Sequence, residues 1–254
     1  RYHGKRIRPV LLLLTGQACG ELWPKHATVA AVVEMVHIAT LVHDDVLDKG
    51  ELRRRAKTVN RLWGNGRAIM LGDLLFSHAY RLCSSLDSQL AAQTVAQAAI
   101  TVCEGEMLQI ANRANYNLSE RTYFDIIRMK TAALIGACLR LGAAHAGAGA
   151  AVCDKMDACG TALGIAFQIV DDLLDLTGDE AAVGKSLGRD AHQGELTLPL
   201  IHYLRESPVA AQAAMRGALE AHDGDQIAKL LRESASVAYA QHLAREHVER
   251  GRVL

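Results

Sequence analysis

The sequence predicts an all-α protein, and three observations carry that expectation. Proline is absent from Lys25 to Leu198, a run of 174 residues, so nothing there removes a backbone donor or forces a kink. Ala, Leu, Glu, Arg, Gln and Met recur through the same run, and all are good helix formers. Apolar residues return at spacings of three and four rather than two, the period of a helix with one buried face.

Taken in order, the apolar run Ile7 to Cys19 gives a first helix. Val29, Val32, Val33, Val36 and Thr40 define a second over 25–48. Leu71, Leu74, Leu75 and Leu82 define a third over 67–85, after the Gly64-Asn65-Gly66 break. Val95, Ala98, Ala99 and Val102 mark a fourth over 88–113. Asn115 to Asn117 form a turn, and Ser119 is placed to cap a helix that opens at Glu120 and runs over 119–145. The Gly147 to Gly149 turn leads into a sixth helix over 151–177. Gly178 to Gly194 is read as a break, and helices over 196–205 and 209–220 flank Ser207-Pro208, with one or two more after Asp225.

Half of the 254 residues are apolar and 22% are charged, enough to bury a full core in one large domain or two small ones. Lys plus Arg and Asp plus Glu both total 28, so there is no global basic field for nucleic acid or an anionic membrane. The six cysteines are scattered through apolar runs without a C-x-x-C pair, which reads as reduced, structural and cytoplasmic. No stretch of about 18 uncharged apolar residues occurs, so no transmembrane segment is expected. The sequence also carries no phosphate-binding glycine loop or dinucleotide fingerprint.

One pattern does recur. Asp-Asp-x-x-Asp occurs at Asp44, Asp45 and Asp48 and again at Asp171, Asp172 and Asp175, each time at the C-terminal end of an apolar helical run. At about 100° per residue the first and last aspartates of each set share a helical face with the second on its flank, so three carboxylates are expected to converge. Their repulsion calls for a counter-cation. Hard carboxylate oxygens without Cys or a Glu-x-x-His pair suit Mg²⁺, with Mn²⁺ as a possible substitute. Because Mg²⁺ is usually held by one or two carboxylates plus substrate phosphates, two such clusters read as a diphosphate clamp. Cations for the remaining substrate charge are Lys5, Arg6 and Arg8, the run Arg53-Arg54-Arg55, Lys130 and Lys185. His37 lies seven residues before Asp44 on nearly the same stripe and could donate to a diphosphate.

These motifs together resemble the trans-isoprenyl diphosphate synthase family, particularly its long-chain polyprenyl members. The resemblance rests on Gly4-Lys5-Arg6-Ile7-Arg8-Pro9, His43-Asp44-Asp45-Val46-Leu47-Asp48 with Leu52-Arg53-Arg54, Leu71-Gly72-Asp73, Met129-Lys130-Thr131, Gly164 to Asp175, and Gly184-Lys185. It implies a single isoprenoid synthase domain over 1–254, lacking parts of both family termini. The expected fold is an antiparallel helix bundle around a deep central cavity, working in the cytoplasm as a homodimer with three Mg²⁺.

By the same resemblance, Asp44, Asp45, Asp48, Asp171 and Asp172 are metal ligands, with Asp175 more peripheral. Arg53, Lys130 and Lys185 grip the allylic diphosphate. Lys5, Arg8, His37 and Arg54 hold isopentenyl diphosphate, while Thr131 and Gln168 face the reacting carbons or the metal waters. Ala39 and Thr40 gate the growing chain, Val36 and Val33 lie further down the same helix, and Phe76 and Tyr80 are candidates for a floor. Small gate residues favour products longer than geranylgeranyl diphosphate. One departure stands out: Glu195 occupies the position of a family lysine, so Glu195→Lys is expected to strengthen diphosphate binding. The competing expectations are a farnesyl or geranylgeranyl synthase, a terpene cyclase or head-to-head synthase, a noncatalytic subunit of a heteromeric synthase, and a metal-storage bundle.

Overall fold

The structure, a computed structural model, describes residues 4–53, 56–177 and 189–254. Its architecture is all-α. The helices are α1 (Ile7–Cys19), α2 (Pro24–Leu47), α3 (Val59–Trp63), α4 (Asn65–Ser84), α5 (Leu90–Ala111), α6 (Glu120–Ile127), α7 (Ala133–His145), α8 (Ala150–Thr177), α9 (Arg189–His192), α10 (Leu198–Glu206), α11 (Val209–Glu220), α12 (Gly224–Arg232) and α13 (Ser236–Arg252). Among the described residues the one extended pair is β1 (Leu52–Arg53) with β2 (Ala56–Lys57), antiparallel, with Leu52 opposite Lys57 and Arg53 opposite Ala56.

Local sequence explains most boundaries. Pro24 opens α2 at a position that needs no N–H, and the Trp23 amide is satisfied by His26 Nδ1 at 2.9 Å. Ser119 caps α6 by accepting the Thr122 amide at 3.0 Å, and Asp223 caps α12 by accepting that of Gln226 at 3.0 Å. Gly64 separates α3 from α4 with a φ of 83°, a conformation glycine adopts without a Cβ clash.

Three differences from the sequence reading have physical reasons. The helix expected over 119–145 is interrupted by a π-helical turn at Arg128–Ala132, which hydrophobic period alone does not reveal. The short α3 and α9 are too brief to show a period. α2, expected to lack membrane-span character, contains an 18-residue window with mean hydropathy 1.3, long and apolar enough to cross a membrane. Its Val29, Val32, Val33, Val36, Ala39 and Val42 are nonetheless buried in the protein core.

Contacts divide the chain into two compact units. The first comprises the residues through Ile100 with Ala133–Gly160 and Leu254, and the second comprises Thr101–Ala132 with Thr161–Val253. In the first, α2 packs against α1 and α4, and α1 packs against α7. Backbones there run close. A Cβ at Gly142 of α7 would lie 2.3 Å from the Leu12 carbonyl oxygen of α1, and one at Gly16 would lie 2.8 Å from the His26 ring, whose Nε2 meets the Gly142 carbonyl at 3.1 Å. The second unit is held by a continuous apolar cluster that includes Tyr123, Ile169, Leu173, Leu198, Leu200, Met215, Leu231 and Ala240.

Two glycines should respond in opposite directions. Gly142→Ala overfills the α1–α7 crossing and is expected to lower the unfolding free energy by about 1–3 kcal/mol. Gly217 lies inside α11, where an added Cβ would meet nothing within 4 Å, so Gly217→Ala should raise stability by about 0.5–1 kcal/mol. Urea denaturation of the two variants checks both signs.

Candidate functional site

In the first unit the Asp44, Asp45 and Asp48 carboxylates stand at the C-terminal end of α2, with Asp48 as its cap residue. That is the negative end of the helix dipole, so their placement there costs energy unless cations are near. The backbone supplies a scaffold for one. The Gly50 amide donates to the Asp45 carbonyl at 2.9 Å, the Thr58 hydroxyl donates to the Gly50 carbonyl at 2.7 Å, and Asn60 Nδ2 donates to both carbonyls at 3.1 and 3.0 Å. These bonds fold the β1–β2 segment back so that Arg53 Nε and Nη2 reach Asp45 Oδ1 at 2.9 and 2.8 Å.

Asp45 is buried, with 1% of its surface exposed, whereas Asp44 and Asp48 are only partly buried. The expected convergence of three carboxylates is therefore not found. One helical step turns Asp45 onto Arg53, and among the described residues no three carboxylate, imidazole or thiol groups stand close enough to hold an ion by themselves. Arg53, expected to grip a diphosphate, is engaged with Asp45.

The structure does bring together Arg8 and His37, which were expected to share a substrate. Arg8 Nη1 lies 3.0 Å from His37 Nε2. A guanidinium has only donors, so Nε2 accepts and the imidazole proton sits on Nδ1. His37 thus has one donor to offer a diphosphate, not two. Lys5 is exposed. Arg54 and Lys185 lie outside the described residues. Of the expected gate residues, Ala39 and Val33 are fully buried, Val36 nearly so, and Thr40 is partly exposed with its hydroxyl donating to the His37 carbonyl at 2.8 Å. Phe76 lies 6.0 Å from the His43 ring. Tyr80 is 71% exposed, so in this unit it lines no floor.

In the second unit, Gln168, Asp171, Asp172 and Asp175 follow one another down the last turns of α8. The Thr131 hydroxyl donates to Gln168 Oε1 at 2.7 Å, Gln168 Nε2 donates to Asp172 Oδ1 at 2.8 Å, and the Tyr123 hydroxyl donates to Asp172 Oδ2 at 2.6 Å. Both oxygens of Asp172, which is 4% exposed, are thereby satisfied. Its carboxyl is raised to about 7, chiefly by burial, with the two donors lowering it and the charges of Asp171 and Glu195 raising it. Burial also holds the Tyr123 hydroxyl well above its ordinary value, and the Asp172 charge adds to this, so it remains a donor. Asp175 Oδ2 accepts the Asp190 amide at 3.1 Å. Burial raises the Asp190 carboxyl well above its ordinary range, and Asp172, Asp175, Glu195 and Asp171 raise it further.

Lys130 and Thr131 both lie in the π-helical turn. Gly105 allows this turn to approach α5, because a Cβ there would sit 2.7 Å from the Lys130 amide nitrogen. The neighbouring Glu106 meets Lys130 Nζ at 2.5 Å. Sequence reasoning missed Tyr123, Glu106 and Asp190. For Glu106 a signal existed in the mid-helix glycine of Glu104-Gly105-Glu106, which costs helix stability without a packing reason.

The arrangement is that of a site for a polyanion and a hard cation. The chain matches the Polyprenyl synthetase family over residues 1–234. It is 33% identical over 246 residues to the octaprenyl diphosphate synthase of Escherichia coli K12, covering 97% of this chain and 76% of that protein. The chain belongs to the polyprenyl synthetase family. Like its relatives, this family member is a prenyltransferase. Component 2 of the Geobacillus stearothermophilus heptaprenyl diphosphate synthase is 40% identical over 214 residues, covering 84% of this chain and 67% of that one. The crystal structure of a Caulobacter crescentus CB15 polyprenyl synthase complexed with calcium and isoprenyl diphosphate superposes with a TM-score of 0.94 at 32% identity, covering 99% of this chain and 78% of that one. Names among the similar proteins run from geranylgeranyl to decaprenyl diphosphate synthase.

The donors of this family member fit a divalent cation of the Mg²⁺ kind. They are hard oxygens at helix C-termini, and the second cluster has the Asp172, Asp175 and Asp190 carboxylates close enough to act on one another. They fit one that completes its shell with water and phosphate, since no protein-only cage is present among the described residues.

Removing the Tyr123 hydroxyl should expose the cost of burying Asp172. Tyr123→Phe leaves one carboxylate oxygen without this donor and is expected to destabilise the cation-free protein by about 1–3 kcal/mol. It should also raise the Mg²⁺ concentration needed for half-maximal activity, which a metal titration of the purified variant would show.

Proposed function

We propose that the chain condenses isopentenyl diphosphate with an allylic diphosphate, head to tail and with Mg²⁺, to give an all-trans polyprenyl diphosphate longer than geranylgeranyl. The observation that carries this reading is the bonded row Thr131–Gln168–Asp172–Tyr123 with Lys130 beside it. It sets hard oxygens, a cation and neutral dipoles on the elements where the family resemblance expects an allylic diphosphate. The Caulobacter relative's calcium and isoprenyl diphosphate support a divalent cation and this class of substrate.

In the reaction the allylic C–O bond breaks, the isopentenyl double bond attacks the resulting allylic cation, and a proton leaves the new chain. Held by Asp44 and Asp48 in the first unit, and by Asp171, Asp172 and Asp175 in the second, Mg²⁺ would supply Lewis-acid stabilisation of a leaving diphosphate. Lys130 adds a fixed positive charge once the diphosphate displaces Glu106 from it. The Gln168 carboxamide, oriented by Thr131, presents a neutral dipole that cannot itself capture the cation. Arg8 and the Nδ1–H of His37 hold the isopentenyl diphosphate. Arg53 compensates Asp45, leaving Asp44 and Asp48 to meet the metal. No covalent nucleophile is needed.

Support for a homodimer comes from Met70, Leu74 and Tyr80 of α4, which are 66%, 53% and 71% exposed, large apolar side chains on one helix. Sedimentation of the full chain reads this directly. The scattered cysteines, all free thiols, support a reducing cytoplasmic location.

Incubation with isopentenyl diphosphate, an allylic primer and Mg²⁺, followed by chromatography of the dephosphorylated products, tests the activity. Asp44→Ala and Asp171→Ala should each reduce turnover by about 10²-fold or more, the scale of a lost electrostatic contact in a transition state, with the helical circular dichroism retained. Near-full activity in either variant would sink the mechanism.

Product length is read by the same chromatography. Thr40, the partly exposed gate position, can take a larger side chain with less displacement of neighbours than the buried Ala39, so Thr40→Phe should shorten the product while sparing the first condensation. At the wholly buried Ala39 a ring has to displace neighbours, and Ala39→Phe should cost about 1–3 kcal/mol of stability. A wild-type product of farnesyl length would refute the long-chain reading.

A further inference from the structure

Residues 190–197 return the chain from α9 to α10, and the segment is tied down within the second unit by two adjacent bonds from the end of α5. The Ala114 amide donates to the Gly194 carbonyl at 2.7 Å, and Arg113 Nη2 donates to Glu195 Oε1 at 3.2 Å. Gly194 has a φ of 75°, and a Cβ on it would lie 3.0 Å from the Ala114 nitrogen, so the two backbones are in close approach. The partners are 82 residues apart in sequence. Their side chains are 28% and 15% exposed, which sets the pair apart from the exposed ion pairs that contribute little.

From Glu195 the connection continues to the aspartate cluster. The Glu195 amide donates to the Asp190 carbonyl at 2.9 Å, and the Asp190 amide donates to Asp175 Oδ2 at 3.1 Å. Glu195 is also a fifth carboxylate in the company of Asp171, Asp172, Asp175 and Asp190, and its charge acts on both Asp172 and Asp190. Arg113 is the cation bonded to it.

We propose that Arg113 is a positioning residue: by holding Glu195 it fixes the 190–195 segment and, through the Asp190 amide, the Asp175 carboxylate that the second aspartate cluster offers to a divalent cation. The inference rests on the proposed function only in taking that cluster as the cation-binding face. It also accounts for a glutamate where the family resemblance expects a lysine, because the carboxylate anchors the segment and does not meet the substrate. The expectation that Glu195→Lys strengthens diphosphate binding is thereby reversed, since the substitution sets two cations against each other.

The test compares the full-length wild type with Arg113→Glu, Glu195→Arg and the double exchange that restores the pair with reversed polarity. Two readouts are taken: the Mg²⁺ concentration giving half of the thermal shift produced with inorganic diphosphate, and kcat against the Mg²⁺ requirement in the condensation assay. Each single reversal should raise the Mg²⁺ midpoint by about tenfold and the exchange should bring it back to within about threefold, the coupling scale of residues in one charged network.

Unchanged midpoints in the single variants, no recovery in the exchange, or no Mg²⁺-dependent shift in the wild type would overturn the proposal. If the reversals do not fold by circular dichroism, Glu195→Gln and Arg113→Lys decide it. The first should weaken the Mg²⁺ response and the second should largely keep it, and equal responses in both would overturn the proposal. A wild type that shows the expected Mg²⁺ pattern but no condensation would refute the proposed function and leave the role of Arg113 standing.

Discussion

Burying a carboxylate is costly unless its oxygens find donors, and Asp172 sets that requirement for the second unit. With 4% of its surface exposed, it draws the Tyr123 hydroxyl from α6 and the Gln168 carboxamide from its own helix, and Gln168 in turn draws Thr131. Those partners have to arrive from a segment that also carries Lys130. The π-helical turn at Arg128–Ala132 accompanies that convergence, and Gly105 provides the room for the turn against α5. The desolvation cost does not vanish once the bonds are made, because the carboxyl is still pushed up to about 7. That residual cost is what a bound cation would relieve.

The first unit meets the same electrostatic problem by another route. Asp45 is equally buried, but a guanidinium compensates it directly and a net of backbone bonds around Gly50 holds that guanidinium in place. One aspartate cluster therefore has a guanidinium bonded to its buried member, while the buried member of the other is bonded by neutral donors and has two further carboxylates, Asp190 and Glu195, nearby. In the proposed scheme Arg113 offsets part of the Glu195 charge, which still bears on Asp172 and Asp190, while using that carboxylate as a tether.

Most helices were legible because their apolar residues recur on one face over three or more turns. α1 and α11 emerge with the expected bounds, and the Ser119 cap sits where the sequence placed it. The elements that escaped, α3, α9 and the π-helical turn, span five residues or fewer, less than is needed to establish a period. α2 meets the length and hydropathy of a spanning helix although isolated polar residues interrupt its apolar run, and its apolar face is buried in the protein core.

The sequence by itself determined the chemical inventory: two aspartate clusters at helix C-termini, the cations near them, and the motif order that marks the family. Covalent spacing decides which residues share a helical face, and that information is local. What each side chain bonds was decided by the tertiary structure alone. Asp45 turned to Arg53, His37 became an acceptor for Arg8, Asp172 gained Tyr123 across 49 residues, and Glu195 found Arg113 across 82. Such pairings depend on which helices pack together and how closely. A buried charge takes the partner that packing delivers, whether that partner is near in sequence, as Gln168 is to Asp172, or far from it, as Arg113 is from Glu195.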